Sequence, residues 1–284
     1  MSGTGELFSS RFSNIDATSN PTEFVAYMDD ANSMAFFRAA KRRTYELLAL
    51  RSGERVLDVG CGAGEDVRAM AEIVGPTGSA VGIDASQTMI DAARRRSAES
   101  SAVVEFLVGD AEQLEFPDAS FDACRADRVL QHLSSPSNAV AEMARVLRPG
   151  GRLVVFEPDN GGLLIDAPDK DVTRRITEFR GDVVRTGWIG RQLPRLFKSA
   201  GLVNVDVEVL PSPRTDYAPT NASLRLDYYA ERAAEAGVIS ADQAARWSES
   251  LAEAAAAGCF FCVVTMFMVV GFRPSVLDAP STTP

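Results

Sequence analysis

Histidine is almost absent: His132 is the only one in 284 residues. A single imidazole leaves too few nitrogen ligands for a histidine-built zinc site, so no metal is expected. Cysteine is scarce too. Cys61, Cys124, Cys259 and Cys262 have no framework spacing, which excludes a disulfide-stapled scaffold and agrees with a reduced, cytoplasmic chain. Cys259 and Cys262 match the redox spacing. However, the "FF" between them and the "VVTMFMVV" after them read as buried strand, which makes both core cysteines. Basic charge is in deficit, with 29 Lys and Arg against 39 Asp and Glu, a net charge of −10. The basic runs at 41–43 and 94–96 are short and fall inside helical patterns, so nucleic acid is not expected as a partner. "MSGTGELFSSRF" at the start has no apolar core segment, and no signal peptide is expected. The uncharged stretch 254–272 approaches a membrane span in length, but Gly258 divides it into a helix end and a β-branched, aromatic strand. No membrane partner is expected.

What is present is apolar and alternating. At 46% hydrophobic, the chain holds enough for one large domain with an elaboration. Residues 1 to about 20 are polar and small, and read as a loose arm; 21–50 read as helices, giving an N-terminal arm and helical cap over 1–50. Strands are then expected at 55–62, 79–86, 103–111, 120–127 and 152–159, with helices between them. Ser86 is placed to cap the helix that starts at Gln87, and 137–151 reads as a helix that stops at Pro149-Gly150-Gly151. Such alternation means a parallel, doubly wound α/β sheet. Strands at 203–210 and after Gly258 bring the count to seven, with a helical insertion, 211–258, before the last strand. "SADQ" at 240–243 reads as a capping box. The domain is expected to run over 51–274, with lid segments at 160–190 and 211–258 and a disordered tail at 275–284.

The first strand ends in "DVGCGAGED". Gly60, Gly62 and Gly64 let the backbone pass close to a ligand. Asp84 ends the second strand, where a carboxylate takes ribose hydroxyls. Asp110 ends the third, where it accepts from the exocyclic amine of a base. Asp58 precedes the glycines, where an ammonium group is welcome. Glu65 and Asp66 follow the loop and oppose a pyrophosphate. The ligand implied has ribose, an aminated base and an ammonium, and lacks phosphate.

"VLDVGCGAGED", "VGIDAS", "GDAEQLEFPDASFDA", "RVLQHL" and "EMARVLRPGGRLVVFEPD" follow one another in an order and spacing that resemble the class I S-adenosylmethionine-dependent methyltransferases, in the branch of the ubiquinone/menaquinone methyltransferases (methyltransferase type 11) and many small-molecule biosynthetic ones. The resemblance covers roughly 50–160 closely and 185–210 loosely. It implies a Rossmann-like sheet whose last strand is antiparallel, and S-adenosyl-L-methionine as cofactor. By that resemblance Gly60, Gly62 and Gly64 pass under its methionyl part. Asp84 holds the ribose, with Met89 or Ala85 against the adenine, and Asp110 and Ala111 meet the adenine amine and ring. Arg125 and Ala126 border the sulfonium. Tyr27 or Arg38, from the N-terminal helices, is a candidate for its carboxylate.

A carbon or phenol acceptor must lose a proton, and His132, beyond the fourth strand, is the candidate general base; the competing reading is a scaffold residue near the cofactor loop. The resemblance also makes Asn/Asp-Pro-Pro-Tyr the usual sequence after strand four where planar amines are methylated; "ACRADRV" stands there instead. Arg128, Asp159, Trp188 and Tyr228 are candidates for the substrate, with Glu157 and Tyr229 beside them. The expected function is methyl transfer to O or C of a small organic metabolite, by a monomer or homodimer. Two alternatives stay open: a fold member that binds the cofactor without transferring methyl, such as a cyclase or structural subunit, and a tRNA or protein methyltransferase, which the acidic charge disfavours.

Overall fold

The apolar run "RVLDV" forms β1 (Arg55–Val59), buried at all but its first residue, as a strand covered on both faces must be. It belongs to a computed structural model that describes residues 14–99 and 102–275. Most of the expected N-terminal arm and all but the first residue of the expected tail lie outside these residues. Two helices precede β1, α1 (Thr22–Ser33) and α2 (Ala35–Leu48). After it come α3 (Glu65–Val74), β2 (Ser79–Asp84), α4 (Gln87–Ser97), β3 (Val104–Val108), β4 (Phe121–Asp127), α5 (Pro136–Val146) and β5 (Leu147–Ile165). The chain continues through α6 (Lys170–Val183), α7 (Ile189–Ser199) and β6 (Val203–Arg214). It then forms α8 (Tyr217–Leu224), α9 (Leu226–Glu235), α10 (Ala241–Ala256) and β7 (Cys262–Phe272).

The strands lie in the order β3-β2-β1-β4-β5-β7-β6, parallel through β5 and antiparallel where β7 meets β5 and β6. This is the doubly wound, seven-stranded sheet expected, with helices around it. Strand order reverses between β1 and β4, and open α/β sheets take ligands beyond the carboxyl ends at such a point. There β1 runs into Gly60 and β4 into Arg128.

The chain divides into two compact units. The first holds the described residues up to Glu157, Leu193–Glu208, and those from Met268 on; the second holds Pro158–Gln192 and Val209–Phe267. Leu57, Met70, Ile90, Phe121, Leu130 and Met143 are among the fully buried side chains of the first. In the second, Ile176 on α6, Tyr229 and Ala230 on α9, and Trp247 and Leu251 on α10 are buried. Among the described residues no helix is long and apolar enough to cross a membrane.

Local signals account for several element ends. The Ser86 hydroxyl accepts the Met89 amide at 3.2 Å. Asp16, in a short turn at 14–17, adds a carboxylate that accepts from Gln87 N at 2.7 Å and Thr88 N at 3.2 Å. Ser240 and Gln243 form the reciprocal capping box at the start of α10. Two expectations are corrected. The helix before Pro149 ends at Val146, because Leu147 already pairs with Phe121; a register shift then absorbs the Pro-Gly-Gly before Arg152 pairs with Ala123. Cys259 is exposed rather than core: it follows Gly258, whose backbone is left-handed (φ +70°), and only Cys262 is buried at the start of β7.

Both tryptophans, Trp188 and Trp247, lie in the second unit, so their fluorescence reports its unfolding. Ser240→Ala removes the cap hydroxyl of α10 and is expected to lower the stability of that unit by about 1 kcal/mol in urea titrations followed by fluorescence. An unchanged midpoint would show that the box contributes nothing.

Candidate functional site

At the switch point the glycine loop leaves β1 in left-handed backbone, with φ of +71°, +52° and +75° at Gly60, Gly62 and Gly64. The three glycines differ in what surrounds them. A Cβ on Gly60 would lie 2.3 Å from Val129 Cγ2, and one on Gly64 2.5 Å from Phe106 Cε1. Those two make room for protein. Among the described residues, a Cβ on Gly62 would meet only Met28 Cε, at 3.9 Å. Gly62 is thus the open face of the loop, and its amide donates to Asp84 Oδ2 at 2.9 Å, while Asp84 Oδ1 accepts from Ser86 N at 2.9 Å. Burial pushes the Asp84 carboxyl up, against the two amides that draw it down. Each of its oxygens keeps a further acceptor lone pair, the pattern that a vicinal diol requires.

Beneath the loop lies a buried ionic hub. Arg125, 1% exposed, sits within β4 and donates from Nη1 to Asp58 at 3.0 Å, from Nη2 to Asp127 at 2.7 Å and from Nε to Thr44 Oγ at 2.9 Å. Its Nη1 is also 3.3 Å from Asp66 Oδ2. Asp66 further accepts from Lys41 and from the Tyr45 hydroxyl. Burial pushes the Asp58 carboxyl up to about 7, although Arg125 opposes it. For Asp66 and Asp127, burial acts in the same direction, but neighbouring cations outweigh it and hold both low. Arg128 follows β4 with φ +57°, donates to Asp127 at 2.8 Å and to Asn32 Oδ1 at 3.2 Å, and lies 4.3 Å over the Phe37 ring. Met28, Asn32, Gly60, Ala63, Asp127 and Arg128 are among the residues around a cavity of about 20 Å³.

The first unit carries Asp58, Asp84 and Arg125 on β1, β2 and β4, and the three glycines, Asp110, Arg128 and His132 in the loops that follow strands. Asp110 is exposed, with Oδ1 accepting from Glu112 N at 2.8 Å, and Ala111 beside it is buried. Ala85 is exposed, whereas Met89 is buried in a small cluster with Ile15 and Phe24. Tyr27 is half-exposed on α1, and Arg38 donates to Ser33 O at the α1–α2 corner. His132 is half-buried, in a single 3-10 turn, Leu130–His132, with its amide on Val129 O at 2.9 Å. The remaining candidates lie in the second unit. Asp159 accepts from Arg191 N, Nε and Nη2 at 3.0, 2.7 and 2.6 Å; Arg191 lies 4.7 Å over the exposed Trp188 ring. Arg225 lies 4.0 Å over Tyr228, which packs edge-on against Tyr229. Among the described residues no group of three or more His, Cys, Asp or Glu is arranged to hold a metal ion.

Sequence reasoning missed Lys41, Thr44 and Asn32, which come from helices with no motif to set their register. It also placed Glu157 at a strand end without seeing its burial. Glu157 is fully buried, and Oε1 accepts from Val129 N and Leu130 N, each at 2.6 Å.

A family model for a methyltransferase domain matches residues 57–155. An uncharacterized 37.1 kDa protein of transposon TN4556 from Streptomyces fradiae is 43% identical over 247 residues, 87% of this chain and 70% of the relative. The ubiquinone/menaquinone biosynthesis C-methyltransferase UbiE of Ectopseudomonas mendocina (strain ymp) is 41% identical over 132 residues, 46% of this chain. That match spans about half of the relative, 52%. The crystal structure of the YcgJ protein from Bacillus subtilis aligns with a TM-score of 0.55 at 23% identity, over 84% of this chain and 99% of that one, a likeness of fold.

Burial pushes the Glu157 carboxyl from its usual 4.5 up to about 8. Between those values the folded protein holds a proton that the unfolded chain has lost, so this group lowers stability as pH rises through that window. Glu157→Gln, which does not ionise, is expected to gain on wild type by roughly 1 kcal/mol per pH unit between pH 5 and 7 in urea denaturation. Parallel slopes for the two proteins would show that the carboxyl is not held protonated.

Proposed function

The chain belongs to the S-adenosylmethionine-dependent methyltransferase family, and from that premise we propose that it transfers a methyl group to oxygen or carbon of a small organic metabolite by in-line displacement. The observation that carries the reading is Asp84 joined to the open Gly62 amide: it leaves two carboxylate oxygens with spare acceptor capacity beside a loop whose missing side chain makes room for a ligand. Asp84 takes the ribose hydroxyls, Asp110 the adenine amine, and Ala111 the adenine ring. Ala85 is better placed for the adenine than Met89, whose side chain is occupied by Ile15 and Phe24. Gly62 passes under the methionyl part. Arg125 and Asp58 are bound to each other, so they act on that part through the electrostatics of the hub rather than by direct contact. Asn32 on α1 borders the same cavity as Arg128, and Tyr27 on that helix is the candidate for the cofactor carboxylate, whereas Arg38 is held at the helix corner.

When bound, S-adenosylmethionine supplies a methyl group already activated on a sulfonium. The protein's part is to hold an acceptor in line about 3 Å away, to exclude water and, for a phenol or carbon acceptor, to take a proton. His132 is the base this reading assigns, and Arg128 the cation nearest to a developing phenolate. The likeness to a C-methyltransferase supports keeping carbon beside oxygen as the atom methylated.

The test uses cofactor carrying an isotope-labelled methyl group, incubated with a panel of phenolic, quinol and polyketide acceptors. Label in a product supports transfer; cofactor binding without transfer to any acceptor class favours the non-transferring alternative. Asp84→Ala is expected to weaken S-adenosylmethionine binding at least tenfold by calorimetry, and unchanged affinity would sink the ribose assignment. For His132→Ala, the expected result is lost turnover with cofactor affinity kept; a parallel fall in both identifies a scaffold residue instead.

A further inference from the structure

Glu157 stands in the middle of β5, in the first unit, and the methyl-transfer reading gives it no role. Among the described residues its Oε2 is buried without a hydrogen-bond partner, while Oε1 accepts two consecutive amides, Val129 and Leu130, at 2.6 Å each. The amide before them, Arg128 N, donates to Phe156 O at 2.7 Å. Three successive donors of the turn after β4 therefore end on two adjacent residues of β5. Such a clamp is what a left-handed arginine needs. Arg128 has φ +57°, and backbone of that kind persists only where the surroundings over-determine it.

The clamp reaches two places. Val129 fills the notch left by the missing side chain of Gly60, where a Cβ would stand 2.3 Å from Val129 Cγ2. The carbonyl of Val129 accepts the His132 amide at 2.9 Å. One set of contacts thus runs from Glu157 through Val129 to the glycine loop, and another through Val129 and Leu130 to the histidine. We propose that Glu157 is a positioning residue for methyl transfer, holding the 128–132 turn so that Val129 seats the glycine loop and His132 keeps a fixed place beside it. The proposal rests on the reading that this loop holds the cofactor and this turn borders the acceptor. Burial favours the protonated form of Glu157, so the clamp acts as a neutral acid, and an amide of the same shape offers the same acceptor oxygen.

His132 is the only histidine, so histidine-labelled protein gives one imidazole signal by nuclear magnetic resonance. The experiment compares wild type, Glu157→Gln and Glu157→Leu, each checked for folding by circular dichroism, and measures S-adenosylhomocysteine affinity by calorimetry. Glutamine keeps an oxygen acceptor for the two amides; leucine has similar bulk and none. The expected result is a glutamine spectrum that overlays wild type, and a leucine variant with a displaced imidazole signal and at least tenfold weaker binding. An imidazole signal unmoved in the leucine variant, or moved equally in both, overturns the proposal. If the leucine variant does not fold, Glu157→Asp, which draws the carboxyl back by one methylene, must displace the signal, and an unmoved signal overturns it. Wild-type protein that does not bind S-adenosylhomocysteine at all overturns the cofactor reading instead, and the imidazole comparison then tests the clamp separately.

Discussion

One buried guanidinium ties the switch point together. Arg125 joins Asp58 at the end of β1, Asp127 at the end of β4, Asp66 in the first turn of α3 and Thr44 on α2. Each of those acids stands next to a segment that shapes the site: Asp58 before the glycine loop, Asp127 before the strained Arg128, and Asp66 at the helix into which the loop feeds. An ion buried this deeply costs several kcal/mol to desolvate, and removing a single partner from such a group is strongly destabilising, so the partners hold one another in place. The loop's geometry rests on that mutual satisfaction as much as on its glycines.

The hub also separates its own acids. Asp66 receives Lys41, Tyr45 and Arg125, which hold it ionised; Asp58 is fully buried, and burial pushes it up to about 7 even with Arg125 beside it. Acids in contact with one cation are thus pushed in opposite directions, because desolvation acts on all of them and the donors are unequally shared. Glu157 follows the same logic at the next strand: buried and given only amide donors, it is held as the neutral acid, and so clamps the turn without adding a further charge beside Asp127.

Much of this was legible in the residues. Strand and helix alternation from Arg55 to Asp159, the glycine spacing, Asp84 and Asp110 at strand ends, and the caps at Ser86 and Ser240 are short-range patterns, and they follow from the two periodicities of backbone geometry. Errors arose where the neighbour that decides is remote. Leu147 looked helical until Phe121 was opposite it. Cys259 looked apolar by company, but Gly258 turns the chain outward before the strand begins. Glu157 stood near the end of a strand expected to stop at Asp159, beside the substrate candidates, but β5 runs on to Ile165 and the turn from β4 covers Glu157 and leaves it fully buried.

By itself the sequence determined the order of elements, the place of the loop at the end of β1, and the residue types that a ribose-bearing cofactor needs, because each of these is written within a few neighbouring positions. The tertiary structure alone decided which charges are buried and which are neutral. Arg125 meets Thr44 across 81 residues of chain and Asp58 across 67, and Val129 meets Glu157 across 28. A group's desolvation, its donors and therefore its protonation depend on atoms brought from those distances, and no local pattern encodes them.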